Sequence, residues 1–237
     1  MRSFVHYIPI ATSIFATWFG FVLLRRYRER GGLHHLWWSI GAFAYAAGTI
    51  TESLTTLLGW HEPVFRAWYI SGALFGGFPL AQGTVYLLFS RKTADRLTAI
   101  VLSVAAVASV CVLLTPIDMS LVEPYRLSGQ VMEWQWVRAF SPFINLYAVT
   151  FLIGGAIYSA LKFRKIPGMR NRTIGNWLIA IGAILPGIGG TATRMGHVEV
   201  LYVTELLGIL LIYLGFRFAT SPTVEATEAG EPELATA

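Results

Sequence analysis

The chain has 237 residues, of which 55% are hydrophobic and only 13% are charged, and its mean hydropathy is +0.58. These values exclude an ordinary soluble domain, because long apolar runs with the charges confined to the gaps between them offer no polar face to water. The net charge of +5 does not indicate nucleic acid as a partner, since the basic residues flank apolar runs, where they contact anionic lipid headgroups. We therefore predict an all-α membrane protein whose main partner is the lipid bilayer.

Seven apolar segments follow one another along the chain. Crossing the hydrocarbon core of a bilayer takes about 20 helical residues, because each residue advances the helix by only about 1.5 Å. The segments of this length are residues 5–24, 36–58, 64–89, 97–116, 139–161, 173–193 and 198–220. The first has no small-residue cleavage site and is followed by an arginine cluster, so we interpret it as a retained helix rather than a signal peptide. Residues 1–220 are thus predicted to form a seven-transmembrane-helix bundle.

Basic residues are concentrated in every second gap between these segments. The first, third and fifth gaps hold Arg25, Arg26, Arg28 and Arg30, then Arg91, Lys92 and Arg96, then Lys162, Arg164, Lys165, Arg170 and Arg172. The alternate gaps and the span ends beside them hold only Arg66, Arg126, Arg138 and Arg194. By the positive-inside rule this pattern predicts an N-out/C-in, multi-pass protein of a cell membrane, of the bacterial or archaeal inner-membrane type.

The composition changes after the last apolar segment. Residues 221–237 are rich in Ser, Pro, Thr, Ala and Gly, contain no basic residue, and carry Glu225, Glu228, Glu231 and Glu233. A segment of this kind buries too little apolar area to fold. We predict a disordered acidic cytoplasmic tail without an output domain.

The two halves of the chain share a weak pattern. Spans one and five each begin with a proline that is followed eight residues later by a threonine, and spans two and six each contain Ile-Gly-Ala before a Gly-Thr pair. The residues are Pro9 with Thr17, Pro142 with Thr150, Ile40 with Gly48, and Ile181 with Gly190. Small apolar residues are common in membrane helices, so chance is the alternative explanation. A genuine repeat would place three helices on each side of a linking fourth, a 3+1+3 parallel arrangement.

This layout, with the chain length and topology, is similar to sugar carriers of the SWEET type and, more loosely, to microbial rhodopsins. The rhodopsin resemblance does not extend to the cofactor. Residues 198–220 contain no lysine to which retinal could attach. We therefore expect no retinal and no other cofactor.

Ionisable residues within the apolar spans are candidates for function, because a charge at the centre of a membrane helix costs several kcal/mol, roughly 2.5–3.5 on conservative scales. Glu52 and Glu205 both lie on the order of 12 Å below the outer helix ends. Arg66 and Arg194 enter from the outer ends of spans three and six, and Tyr69 and Asn145 lie at a depth similar to that of the glutamates, so all six fall in the outer half. These six residues predict a polar cavity that opens outward and binds a small ligand or relays protons. The alternative is structural: Glu52 pairs with Arg194 or Arg66, and Glu205 with the other arginine.

Four further residues line the predicted outer rim: His6, His61, His197 and Glu199. Histidine and carboxylate side chains bind zinc or copper, but the spacing of these residues matches no metal motif. The single cysteine, Cys111, lies within an apolar run and excludes paired-cysteine metal sites. We predict no metal site.

The sequence is compatible with three classes of function. The sequence shows no nucleophile–base pair, catalytic carboxylate dyad or phosphate-binding loop, so we do not expect an enzyme. The first class is a protein that binds and transports a small ligand or ion. The alternatives are a rhodopsin-like sensor without retinal that signals through a separate partner, and a non-catalytic accessory subunit of a larger membrane complex. Self-association into a homo-oligomer is compatible with each class.

Overall fold

The computed structural model describes residues 4–221, so the predicted acidic tail lies outside the described residues except for Ser221. In this range the chain forms nine α-helices: α1 (Ile8–Arg30), α2 (Leu33–Leu58), α3 (Glu62–Trp68), α4 (Phe78–Leu88), α5 (Arg91–Leu114), α6 (Phe140–Ala148), α7 (Gly154–Phe163), α8 (Arg170–Arg194) and α9 (Val198–Thr220). Two π-helical segments, Tyr69–Leu74 and Val149–Ile153, follow α3 and α6. The predicted all-α class is confirmed.

Within the described range, five continuous helical segments are long and apolar enough to cross a bilayer: Phe4–Arg30, Arg91–Leu114, Gln135–Phe163, Arg170–Arg194 and Val198–Thr220. Their outward faces carry large exposed apolar side chains, among them Ile14, Ile100, Leu113, Phe143 and Ile188. A surface of this kind is stable in lipid and promotes aggregation in water. The chain therefore has the fold of a multi-pass membrane protein.

The second and third predicted spans differ from these five in composition and continuity. The last turns of α2 carry a run of buried polar side chains: Thr49, Thr51, Glu52, Ser53, Thr55 and Thr56. The third predicted span is divided into α3, a π segment and α4. Residues 75–77 form a turn, and α4 begins at Phe78 with Pro79 in its first turn, where the missing N–H of proline costs no helical hydrogen bond. The number of seven spans stays a prediction.

Short turns make successive helices antiparallel. Between α1 and α2 the chain reverses over Gly31 and Gly32, whose φ angles of 68° and 83° favour glycine. Consequently α1, α4, α7 and α9 end where α2, α5 and α8 begin. We call this the basic end, because it carries the three arginine- and lysine-rich gaps. A ring of α1, α2, α4, α7, α8 and α9 forms the centre of the bundle, and α5 packs outside it.

Residues 115–134 form a folded cover over the end opposite the basic end. The backbone N–H of Asp118 donates to the carbonyl of Val131 over 2.8 Å, and the N–H of Glu133 to that of Pro116 over 3.0 Å. Buried side chains of this segment, Leu127, Val131 and Met132, pack against Phe65 and Tyr69. Arg126 donates to the carbonyl of Thr193 over 2.8 Å, which ties the cover to the end of α8.

Candidate functional site

Glu52 and Glu205 come together between α2 and α9, each about 10 Å along its helix from the end opposite the basic end. The two carboxyl groups lie within hydrogen-bonding reach of each other. Glu52 is only 4% exposed. The hydroxyl of Tyr45 donates to the backbone carbonyl of Glu205 over 2.8 Å, which holds the two helices at this level. We call Glu52 and Glu205 the acidic pair.

Aromatic and hydroxyl side chains surround the acidic pair. The indole N–H of Trp68 donates to Oε1 of Glu52 over 3.1 Å. On the outer side, Tyr202 is hydrogen-bonded to Thr56. The Oε2 atoms of Glu52 and Glu205 are both buried and accept no hydrogen bond from an N–H or O–H group of the described residues.

The structure does not contain the ion pairs between glutamate and arginine that the structural alternative predicted. Among residues 4–221 no salt bridge reaches Glu52 or Glu205. Arg66 instead binds Glu62, one turn earlier on α3, over 2.7 Å, and donates to the carbonyls of Val112 and Thr115 at the end of α5. Free carbonyls at a helix C-terminus attract a cation, so Arg66 joins α3 to α5 and faces away from the acidic pair.

Three further predicted site residues lie apart from the acidic pair. Tyr69 is buried in the apolar cluster beneath the cover formed by residues 115–134. Asn145 is exposed on α6, where its amide donates to the hydroxyl of Ser141 over 3.1 Å. Arg194 is exposed at the end of α8. The sequence predicted that these residues lie in the outer half, but it did not predict that their side chains lie apart from the acidic pair.

The predicted rim residues are only partly assembled. Nε2 of His6 lies 3.8 Å from Oε1 of Glu199, and the His6 ring makes an edge contact with Tyr202. His61 and His197 are exposed at the starts of α3 and α9. No three His, Cys, Asp or Glu side chains in the described part of the chain converge as a metal site would require. His6, Tyr202 and Glu199 instead lead from the surface towards the acidic pair.

A cavity of ≈ 390 Å³ lies at the basic end, whereas the sequence predicted a cavity in the outer half. It is enclosed by the six ring helices and reaches the surface at the exposed Arg172. We call this space the basic-end cavity. In the outer half, a second space of ≈ 380 Å³ lies beside Glu62, Arg66 and Leu113, and its lining does not include the acidic pair. A polar cavity that opens outward at the acidic pair stays a prediction.

An apolar layer separates the acidic pair from the basic-end cavity. Along α9, Glu205 is followed one turn later by Ile209, which is fully buried, and after a second turn by Ile212, which lines the cavity. Ala16 on α1 and Ala42 on α2 pack at the same level and are also fully buried. The pair and the cavity are thus close neighbours along the bundle axis, with buried apolar side chains between them.

Sequence reasoning missed the side chains that surround the acidic pair. Tyr45 precedes Glu52 by seven residues and Tyr202 precedes Glu205 by three, so each tyrosine shares a helix face with its glutamate. This spacing was visible in the sequence. The contribution of Trp68 was not, because it depends on how α3 packs against α2. His34 and His35, which sequence reasoning did not place at a cavity, line the basic-end cavity.

Neither a protein-family model nor a curated protein matches this sequence significantly, so its function is inferred from its own residues.

Proposed function

We propose that the protein is a seven-span membrane carrier that moves a small ligand or ion across the bilayer, and that the acidic pair binds a proton during the transport cycle. The observation that carries this proposal is the contact between two carboxyl groups whose Oε2 atoms are buried, with no cation of residues 4–221 paired with them. Ionisable groups in this position are rare in membrane helices and are usually found on ion or proton pathways.

A shared proton explains the surroundings of the acidic pair. Two ionised carboxylates in contact within an apolar bundle repel each other and lose their hydration, so one of them is expected to retain a proton. That proton supplies the donor that the buried Oε2 atoms lack. The other titratable groups facing the pair are Tyr45 and Tyr202, and neither is a cation. Access from outside would run past Tyr202, His6 and Glu199.

The unequal ends of the bundle support a carrier over a static structural protein. At the basic end a cavity reaches the surface, whereas the opposite end is covered by residues 115–134. An apolar layer lies between the cavity and the acidic pair. Alternating access requires a central region that is open to one side at a time. The π segments in the third and fifth spans are local irregularities of the kind often associated with functional movement.

Transport is tested with purified full-length protein in liposomes that contain a pH-sensitive dye. Addition of small organic anions, cations or sugars outside should cause solute-dependent proton movement for at least one class. Saturable binding without proton or solute movement would favour the sensor alternative. Copurification with a fixed partner, without binding or movement, would favour the accessory-subunit alternative.

The seven-span, N-out/C-in topology makes its own prediction. In a Cys111→Ser background, Glu133→Cys should react with a membrane-impermeant maleimide in intact cells, because residue 133 is exposed in the outer cover. Lys165→Cys, exposed between α7 and α8, should react only after the membrane is permeabilised. Equal labelling of both positions in intact cells, or the reverse pattern, would contradict this topology.

A further inference from the structure

The basic-end cavity has an apolar floor and a polar mouth. The floor is formed by Phe19, Leu80, Leu152 and Ile212, and the mouth by His34, Arg172, Asn176 and Thr220. Its volume of ≈ 390 Å³ falls within the usual range of small-molecule sites, roughly 300–1,000 Å³. This division suits a molecule with an apolar body and a polar group at one end.

The charge at the mouth is positive. Arg172 lies over the ring of Phe163 at 5.6 Å, and Arg26 lies over the ring of Phe216 at 5.2 Å; both rings line the cavity. No carboxylate of residues 4–221 lies within salt-bridge distance of Arg26 or Arg172, and the lining contains no acidic side chain. Nε of Arg26 is buried and lacks an acceptor among the described residues. Arg172 lines the cavity and is therefore available to an anion there, while Arg26, outside the lining behind the Phe216 ring, adds positive charge near the same space.

We propose that the basic-end cavity binds a small organic anion with an apolar body, with its carboxylate at Arg172 and its hydrocarbon part against the floor. The further claim that this anion is the transported ligand rests on the proposed function. An anion that travels together with the proton of the acidic pair crosses without net charge, so the two sites have complementary roles. Binding to the cavity is measurable without transport.

Small residues of α7 line the basic-end cavity and let α7 pack closely against α4. A Cβ atom on Gly155 would lie 2.6 Å from Cγ2 of Thr84 on α4. Ala156 and Ser159 continue the same small-residue face along α7, and both line the cavity. Larger side chains at these positions would occupy the space that the apolar body of the ligand requires.

The test uses the full chain in nanodiscs of neutral phosphatidylcholine and four probes: octanoate, octylamine, octan-1-ol and acetate. Calorimetric titration should give saturable binding of octanoate and little binding of the other three. Arg172→Gln should weaken octanoate binding about tenfold or more, because it removes a charge-assisted contact. Arg172→Lys should restore much of the affinity. Arg170→Gln is the matched control, since residue 170 is exposed on the same helix turn and does not line the cavity.

Several outcomes would overturn the proposal. Equal binding of octylamine or octan-1-ol would show that the cavity selects apolar bodies without regard to charge. Unchanged octanoate affinity in Arg172→Gln would remove the proposed anion contact. Complete displacement of octanoate by phosphatidylglycerol in the nanodisc would assign the cavity to an anionic lipid. Octanoate binding with the expected variant pattern but without proton-linked transport would preserve the site and contradict the carrier proposal instead.

Discussion

Glu52→Gln and Glu205→Gln should each abolish proton-linked transport and leave the protein folded. Glutamine has the shape of glutamic acid but neither gains nor loses a proton at physiological pH, so the acidic pair loses the exchange on which coupling depends. Its amide N–H also replaces the shared proton as a hydrogen-bond donor to the remaining carboxylate. We expect uptake in proteoliposomes to fall to the level of protein-free liposomes, while the elution volume and melting temperature stay close to those of the unmodified protein.

The matched control for these variants is Glu133→Gln. This substitution removes a carboxylate from the exposed cover without touching the acidic pair, and it should transport normally. Full transport by both Glu52→Gln and Glu205→Gln would contradict the role of the pair. Aggregation of both variants, with no folded protein recovered, would instead assign the pair a structural role in holding α2 to α9.

Gly182→Ala should destabilise the protein through the contact between α8 and α9. A Cβ atom on Gly182 would lie 2.6 Å from the carbonyl oxygen of Gly208 and 2.9 Å from Cβ of Leu211, so the helices must move apart. Overpacking of this kind costs about 1–3 kcal/mol. Thermal unfolding in detergent should show a clear decrease in melting temperature.

A second glycine on the same helix gives the opposite expectation. A Cβ atom on Gly190 would meet nothing within 4 Å, and alanine favours the helix over glycine by about 1 kcal/mol. Gly190→Ala should therefore leave the melting temperature unchanged or raise it. Equal decreases for Gly182→Ala and Gly190→Ala would show that helix propensity or detergent effects, rather than α8–α9 packing, control the response.

Hydropathy alone predicted the bounds of the long apolar helices well. The predicted span 198–220 has the same bounds as α9, and the predicted span 173–193 lies within α8. The third span was harder, because its division depends on Gly76, Gly77 and Pro79 acting within one turn. Hydropathy averaged over 20 residues does not detect such a local break.

The depth of the acidic residues in the bundle could be predicted from the sequence, but the contacts of the individual side chains could not. Counting residues from the helix ends placed Glu52 and Glu205 at the same level, and the structure brings them together. The direction of Arg66 was not predictable, because its ligands are the carbonyls at the end of α5, which sequence distance does not reveal. The position of the cavity also depended on tertiary packing, since it follows from where small residues of α7 face the other helices of the ring.

The most direct test of the acidic pair is infrared spectroscopy of the purified protein at neutral pH. If the two carboxyl groups share a proton, the unmodified protein should show the carbonyl band of a protonated carboxyl group, and the band should shift in D₂O. The Glu52→Gln/Glu205→Gln double variant should lack that band, while Glu133→Gln should retain it. A spectrum that contains only ionised carboxylates, or a protonated band that persists in the double variant, would contradict proton sharing between Glu52 and Glu205.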